Sequence, residues 1–171
     1  VLFRSRVDAT LISNLRIMRR TLINQISKRC DKSKEIITGV VHALLSRSIF
    51  IKYLEERKDS NGETVFPQDF YCNFMESAKW YTDVLNSKEA TYNLFLTLKD
   101  KFNGDTLQVS EIETEIITQD DLDELRTFIL GNSELESRQL TLWPLYSFDI
   151  IPIQLISSIY ELFFHLSDEE D

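Results

Sequence analysis

Apolar residues recur at helical spacing through most of this chain. From Asp8 onward, Leu11, Leu15, Met18, Leu22 and Ile26 follow one another at intervals of four, three, four and four, and Ile12 and Ile23 widen the stripe. That spacing predicts a long amphipathic helix. Arg16, Arg19 and Arg20, at i, i+3 and i+4, cluster on a different side of it. The stretch CDKSKE breaks the pattern, and Asp31 or Ser33 can cap the next helix. From Ile36 to Arg57 apolar residues point in nearly every direction (Ile37, Val40, Val41, Leu44, Leu45, Ile49, Phe50, Leu54), which predicts a central, covered helix.

Beyond it, KDSNGETVFP reads as a loop from its Asn-Gly and Pro content. The aromatic stretch QDFYCNFMESAKWYTDVL suits one or two short helices. Tyr92, Phe95, Leu98 and Phe102 return to helical spacing behind the candidate cap Ser87, with Gly104 as the stop. Thr118 is placed to cap a further helix with acids in its first turn and Gly131 at its end. Pro152 opens a last one, Ile153 to Leu166. The segments TLQV and QLTLW alternate weakly, enough for one short two-stranded ribbon. The fold class expected is therefore mainly α, a bundle of about six helices. The opening VLFRS reads as the translation of a common sequencing-adapter end, so residues 1–5 are set apart from the fold, and residues 8–166 form one helical domain.

Composition supports this picture. A chain of 171 residues with 43% hydrophobic and 11% aromatic side chains can bury a core, which excludes a disordered or collagen-like class. Four glycines and three prolines leave few tight turns. The uninterrupted apolar runs are far shorter than the ~20 residues of a spanning helix, and the start lacks the pattern of a secretory signal. No membrane partner is expected. Cys30 and Cys72 are too few and too far apart for a zinc site or a disulfide framework, and suit free thiols in a reducing cytoplasm.

Charge adds one feature. Residues 1–58 hold 13 Lys/Arg against 5 Asp/Glu, and residues 59–171 hold 6 against 23, so a net of +8 faces a net of −17. Either a basic surface meets a polyanion, or the two halves attract each other within one fold. Arg16, Arg19, Arg20, Lys28 and Arg29 form the candidate polyanion face, because guanidinium groups one helical turn apart can follow a phosphate backbone without reading bases. Arg47 and Arg57 could do the same, but so near a covered helix internal pairs with Glu55, Glu56 or the acidic half fit better. His42, inside an apolar helix, reads as a hydrogen-bonded core histidine, and His165 joins no metal-ligand spacing. No phosphate loop, catalytic triad or metal cluster is visible, so no catalytic, cofactor-binding or metal-binding residue is assigned.

Three segments resemble one family. VVHALLSRSIFIKYLEER resembles the A-H-x-L-L-x-R-x-x-F-x-x-Y-L-E-D-R helix found ahead of the catalytic domain in large bacterial adenine-N6 DNA methyltransferases of the type IIG-like restriction–modification class. EATYNLFLTLKDKFNGDTL resembles their Y-x-L-F-x-x-L-x-x-x-F-N-G-D-x-F segment, and LWPLYSFDIIPIQLISSIYELF their Y-x-F-x-x-I-P-x-E-L-I-S-x-I-Y-E-x-F helix. They occur in the family's order and, with their spacers, cover about Leu11 to Phe164. Gln154 replaces the family's usual Glu and Ser46 a common Gly. The resemblance implies a non-catalytic helical domain of a site-specific, cytoplasmic DNA methyltransferase, a connector and scaffold whose partners are DNA and its own methyltransferase domain. Residues 167–171 would then begin a linker to that domain, where S-adenosylmethionine binds. No cofactor is expected here, because neither the Gly-rich cofactor motif nor the Asn/Asp-Pro-Pro-Tyr catalytic motif occurs. The other reading is an independent helical protein-interaction module.

Overall fold

The computed structural model describes residues 2–102, 107–131 and 161, with side chains from Leu11 onward. It contains α1 (Leu2–Ser27), α2 (Lys34–Glu56), α3 (Tyr81–Val84), α4 (Lys88–Phe102), α5 (Glu111–Ile116) and α6 (Gln119–Leu130), with a 3-10 turn at Phe70–Asn73. The mainly α expectation is met. Among the described residues there is no strand, only an isolated bridge between Lys58 and Thr64 that closes the 58–67 loop. Leu107 to Val109, half of the expected ribbon, carry no strand pairing. The other half, the Pro152-started helix and Gly104 lie outside the described residues.

Helix α1 begins at Leu2, upstream of the point where its apolar stripe starts. That stripe is the interior edge: Leu11, Leu15, Met18, Leu22 and Ile26 are all buried. Ser33 caps α2, accepting a hydrogen bond from the Ile36 N–H at 3.4 Å. Helix α2 is the centre of the bundle. It packs on α1, α3 and α5, and reaches α4 through the edge-on Phe50–Phe102 pair, 5.9 Å between ring centroids. Its 23 residues are long and apolar enough to cross a membrane by length and composition, but most of that stretch is buried against the rest of this fold. A core helix meets the same criteria.

Helix α4 starts at the expected cap, with the Ser87 hydroxyl accepting from the Ala90 N–H at 3.2 Å. Helix α5 has no counterpart in the hydrophobic pattern, being too short to show a period. Its Ser110 cap accepts from the Glu113 N–H at 3.2 Å and compensates for the shortness. Helix α6 lies against α1 and α3. Thr118 opens it, and the Asp121 carboxylate reaches back to the Thr118 N–H at 2.9 Å. Gly131 closes it at φ 77°, in the left-handed region. A Cβ in that region costs about 1–2 kcal/mol. Gly131→Ala is therefore expected to lower unfolding stability by roughly that amount, read from urea titrations, with helix content unchanged.

Candidate functional site

The basic face proposed from the sequence divides when folded. Arg16 and Arg20 are exposed on α1, and Lys28 is exposed just past its end. Arg19 turns inward, because a step of 100° per residue carries it toward the Leu15–Leu22 stripe. It is 4% exposed, and its Nε donates to His42 Nε2 at 2.7 Å. That bond makes His42 hydrogen-bonded as expected, with its Nε2 acting as acceptor, but the residue is half-buried at the α1–α2 contact and does not sit in the core.

Arg29 grips α6. Its Nη1 donates to Asp121 Oδ1 at 2.9 Å, its Nη2 pairs with Asp121 Oδ2 and also donates to the Ile116 carbonyl at 3.0 Å. Gln25 Nε2 adds a bond to Asp121 Oδ1 at 2.9 Å. Asp121 is fully buried, so one carboxylate caps α6 and anchors it to the end of α1. Here the basic and acidic halves attract each other within the fold.

They do so again at Arg47, whose side chain is completely buried. Its Nη1 donates to the Gln108 carbonyl at 2.7 Å, its Nη2 pairs with Glu113, and its guanidinium lies 4.5 Å from the centroid of the Phe95 ring. Tyr92 donates to the same Glu113 carboxylate at 2.7 Å. The arginine therefore binds α2 to α4, to α5 and to the segment between them. An internal ion pair with the acidic half was the reading the sequence favoured. Arg57 differs from that expectation: it is exposed and donates to the Tyr53 hydroxyl one turn back on α2, not to an acidic partner.

About two turns further along α2, at Glu55, lies a second polar cluster. The Glu55 carboxylate accepts the Tyr81 N–H at 2.7 Å and an ammonium bond from Lys52 at 2.5 Å, so it closes the N-terminal end of α3. Ser48 and Tyr81 share a hydroxyl bond of 2.7 Å. Burial pushes the Tyr71, Tyr81 and Tyr92 phenols well above their ordinary value; the Glu55 carboxylate adds to the effect at Tyr71 and the Glu113 carboxylate at Tyr92.

Sequence reasoning gave no pairing role to Glu113, Asp121 or Tyr92, the last of which it placed only in an apolar stripe. A signal existed for the first two, since Ser110-x-x-Glu113 and Thr118-x-x-Asp121 both have the spacing of a capping box. An open cleft of about 480 Å³ between α1 and α6 is lined by Gln25, Arg29, Asp120, Asp123, Glu124 and Thr127. Its rim is acidic. Among the described residues no group of three or more His, Cys, Asp or Glu is placed to hold a metal ion, Cys30 and Cys72 are free thiols, and His165 lies outside those residues.

No protein-family model, curated protein or solved structure matches this chain.

Among the described residues, the positions that carry the family resemblance are for the most part interior ones. In the first segment Leu44, Leu45, Arg47, Tyr53, Leu54 and Glu55 are buried, and in the second Tyr92, Leu94, Phe95 and Leu98. The two segments meet directly through Arg47 and Phe95. Arg47, Glu55 and Tyr92 among their polar residues hold helices together.

Proposed function

We propose that this chain is a non-catalytic helical domain of a cytoplasmic adenine-N6 DNA methyltransferase, a scaffold and connector that meets DNA through its backbone only. The carrying observation is the resemblance of three ordered segments to that family. The interlocking of the first two through Arg47, Glu113, Tyr92 and Phe95 supports it. A motif conspicuous in sequence yet spent on buried pairing suits a domain that positions its neighbours and leaves the reaction to them.

The coding frame beyond Asp171 is the decisive test. It is expected to run into a Gly-rich S-adenosylmethionine motif and then an Asn/Asp-Pro-Pro-Tyr motif. A frame that ends or leads into an unrelated domain would favour the independent interaction module. The purified chain by itself is expected to transfer no methyl group and to gain no thermal stability from S-adenosylmethionine. A true site would stabilise the fold by about 2.7 kcal/mol at a ligand concentration of 100 Kd. A saturable rise in Tm would place cofactor binding in this domain and reject the scaffold role.

A further inference from the structure

The loop that follows α2 is exposed at every residue from 57 to 65. Asn61 and Gly62 stand at its tip, and hydrogen bonds centred on Asp59 fold them into a tight turn. The Asp59 carboxylate accepts from the Asn61 N–H at 2.8 Å and from the Glu63 N–H at 3.0 Å. The Asp59 carbonyl accepts from the Gly62 N–H at 3.0 Å, and the Asp59 N–H donates to the Glu63 carbonyl at 2.9 Å. Gly62 lies at φ 79°, where a residue without Cβ is unstrained. The exposed side-chain amide of Asn61 takes no part in these bonds.

An asparagine amide beside a glycine nitrogen is an electrophile next to a nucleophile that no side chain shields. Once the Gly62 N–H has given its proton to a solvent base, its nitrogen can attack Asn61 Cγ. A new N–Cγ bond closes a five-membered imide, the Cγ–Nδ2 bond breaks, and Nδ2 takes up protons from water and leaves as ammonia. Water then opens the imide. Cleavage of the new N–Cγ bond gives aspartate. Cleavage of the original peptide bond gives isoaspartate, whose main chain runs through Cβ and Cγ. In both cases amide and water become carboxylate and ammonia, with no oxidation or reduction.

We propose that Asn61 is a site of spontaneous deamidation in this protein, and that the turn built by Asp59 restrains the reaction. The nitrogen that must attack is the one donating to the Asp59 carbonyl. A bonded N–H gives up its proton less readily and is not free to swing toward Cγ. The Asp59 and Glu63 carboxylates beside it disfavour the amide anion as well. Asp59 is thus a positioning residue that slows the ageing of its own loop. The product changes that loop by either route. Aspartate adds a carboxylate to a turn that already holds two, and isoaspartate lengthens a main chain whose hydrogen bonds fit its present length. Both loosen the connection between α2 and Phe66, which is buried in the stacked Phe66–Phe70 pair. The chain's other Asn-Gly pair, Asn103–Gly104, lies outside the described residues. The proposal is independent of the methyltransferase reading.

The test incubates the 171-residue chain at mildly alkaline pH, folded and in urea, and follows the mass of the tryptic peptide of residues 59–79. Fragmentation of that peptide places the change, and the Asn103 pair falls in a different peptide. The folded chain is expected to gain the mass of an amide-to-acid exchange at Asn61, several-fold more slowly than the chain in urea. Asn61→Gln should abolish the gain, because the larger ring closes far more slowly. Asp59→Ala should raise the folded rate several-fold, toward the rate in urea. Asp59→Asn should keep the slow rate, since its side-chain carbonyl still accepts the Asn61 and Glu63 N–H groups. Circular dichroism is expected to be unchanged in all three variants, whose sites are exposed.

No mass gain at Asn61 in the folded chain overturns the site. Equal rates in the folded and urea-unfolded chain overturn the restraint. An Asp59→Ala variant that ages at the wild-type rate removes the role given to Asp59. An Asp59→Asn variant that ages as fast as the alanine one overturns the part given to the hydrogen-bonded turn and assigns the restraint to charge.

Discussion

Arg47→Met should destabilise the fold by about 3–5 kcal/mol, the range found when one partner of a buried ion pair is removed. The substitution keeps much of the side chain's bulk, so little of the loss comes from a cavity. What it leaves behind is the Glu113 carboxylate, 1% exposed, held by a Tyr92 hydroxyl alone. It also strands the Gln108 carbonyl and removes the cation from the Phe95 ring. Adding Glu113→Gln should recover a large part of the loss, because a neutral amide is far cheaper to bury than an unpaired carboxylate. Urea unfolding of the wild type, the two single variants and the double variant measures the coupling. A single-variant loss below about 1 kcal/mol would mean that the pair is not desolvated as the fold requires.

Raising the pH should unfold the protein cooperatively above about pH 10. Tyr71, Tyr81 and Tyr92 all have phenols raised above the ordinary value of 10.0, burial being the largest cause in each case. The native state therefore keeps these protons where the unfolded chain releases them, and stability falls as pH rises through the unfolded value. Each proton contributes about 1.4 kcal/mol per pH unit, so the three together give a slope of about 4 kcal/mol per pH unit. Lys52 adds to the fall. Burial alone would lower its value, but the Glu55 and Glu56 carboxylates reverse that and leave it raised from 10.5. Its contribution is complete below 10.5 and is lost as pH rises through the raised value.

Tyr71→Phe provides the control. The Tyr71 hydroxyl is buried beside Glu55 without a hydrogen bond of good geometry, so its removal should change stability little at pH 7. It should flatten the alkaline slope by about 1.4 kcal/mol per pH unit. Chemical denaturation at pH steps from about 8 to 11.5 reads both quantities. An unchanged slope would place the Tyr71 phenol in contact with solvent.

The hydrophobic period of the sequence determined where the long helices lie, because each must turn its apolar stripe inward whatever covers it. Leu11 to Ile26 and Ile37 to Leu54 are buried as that rule requires. The caps Ser33, Ser87 and Thr118 and the stop Gly131 were equally legible, since capping satisfies backbone groups within three or four residues of sequence. Helix α5 was not legible from its hydrophobic period, only from the Ser110-x-x-Glu113 spacing of its cap. Six residues are too few to show a period, and it is held by Arg47 from 66 residues away.

Charge pairing was legible in kind but not in detail. An excess of +8 beside −17 announces that opposite charges will meet, but the sequence does not say which of them meet inside the fold. A helical wheel sets Arg19 nearer the apolar stripe than Arg16 or Arg20, but only α2 supplies the His42 that it bonds. Arg29 looks like another surface cation until α6 delivers Asp121 to it. The tertiary structure made those choices, because which cation is buried depends on what packs beside it. Sequence thus determined the helices and the supply of cations, and packing decided that Arg19, Arg29 and Arg47 hold the fold while Arg16 and Arg20 face solvent.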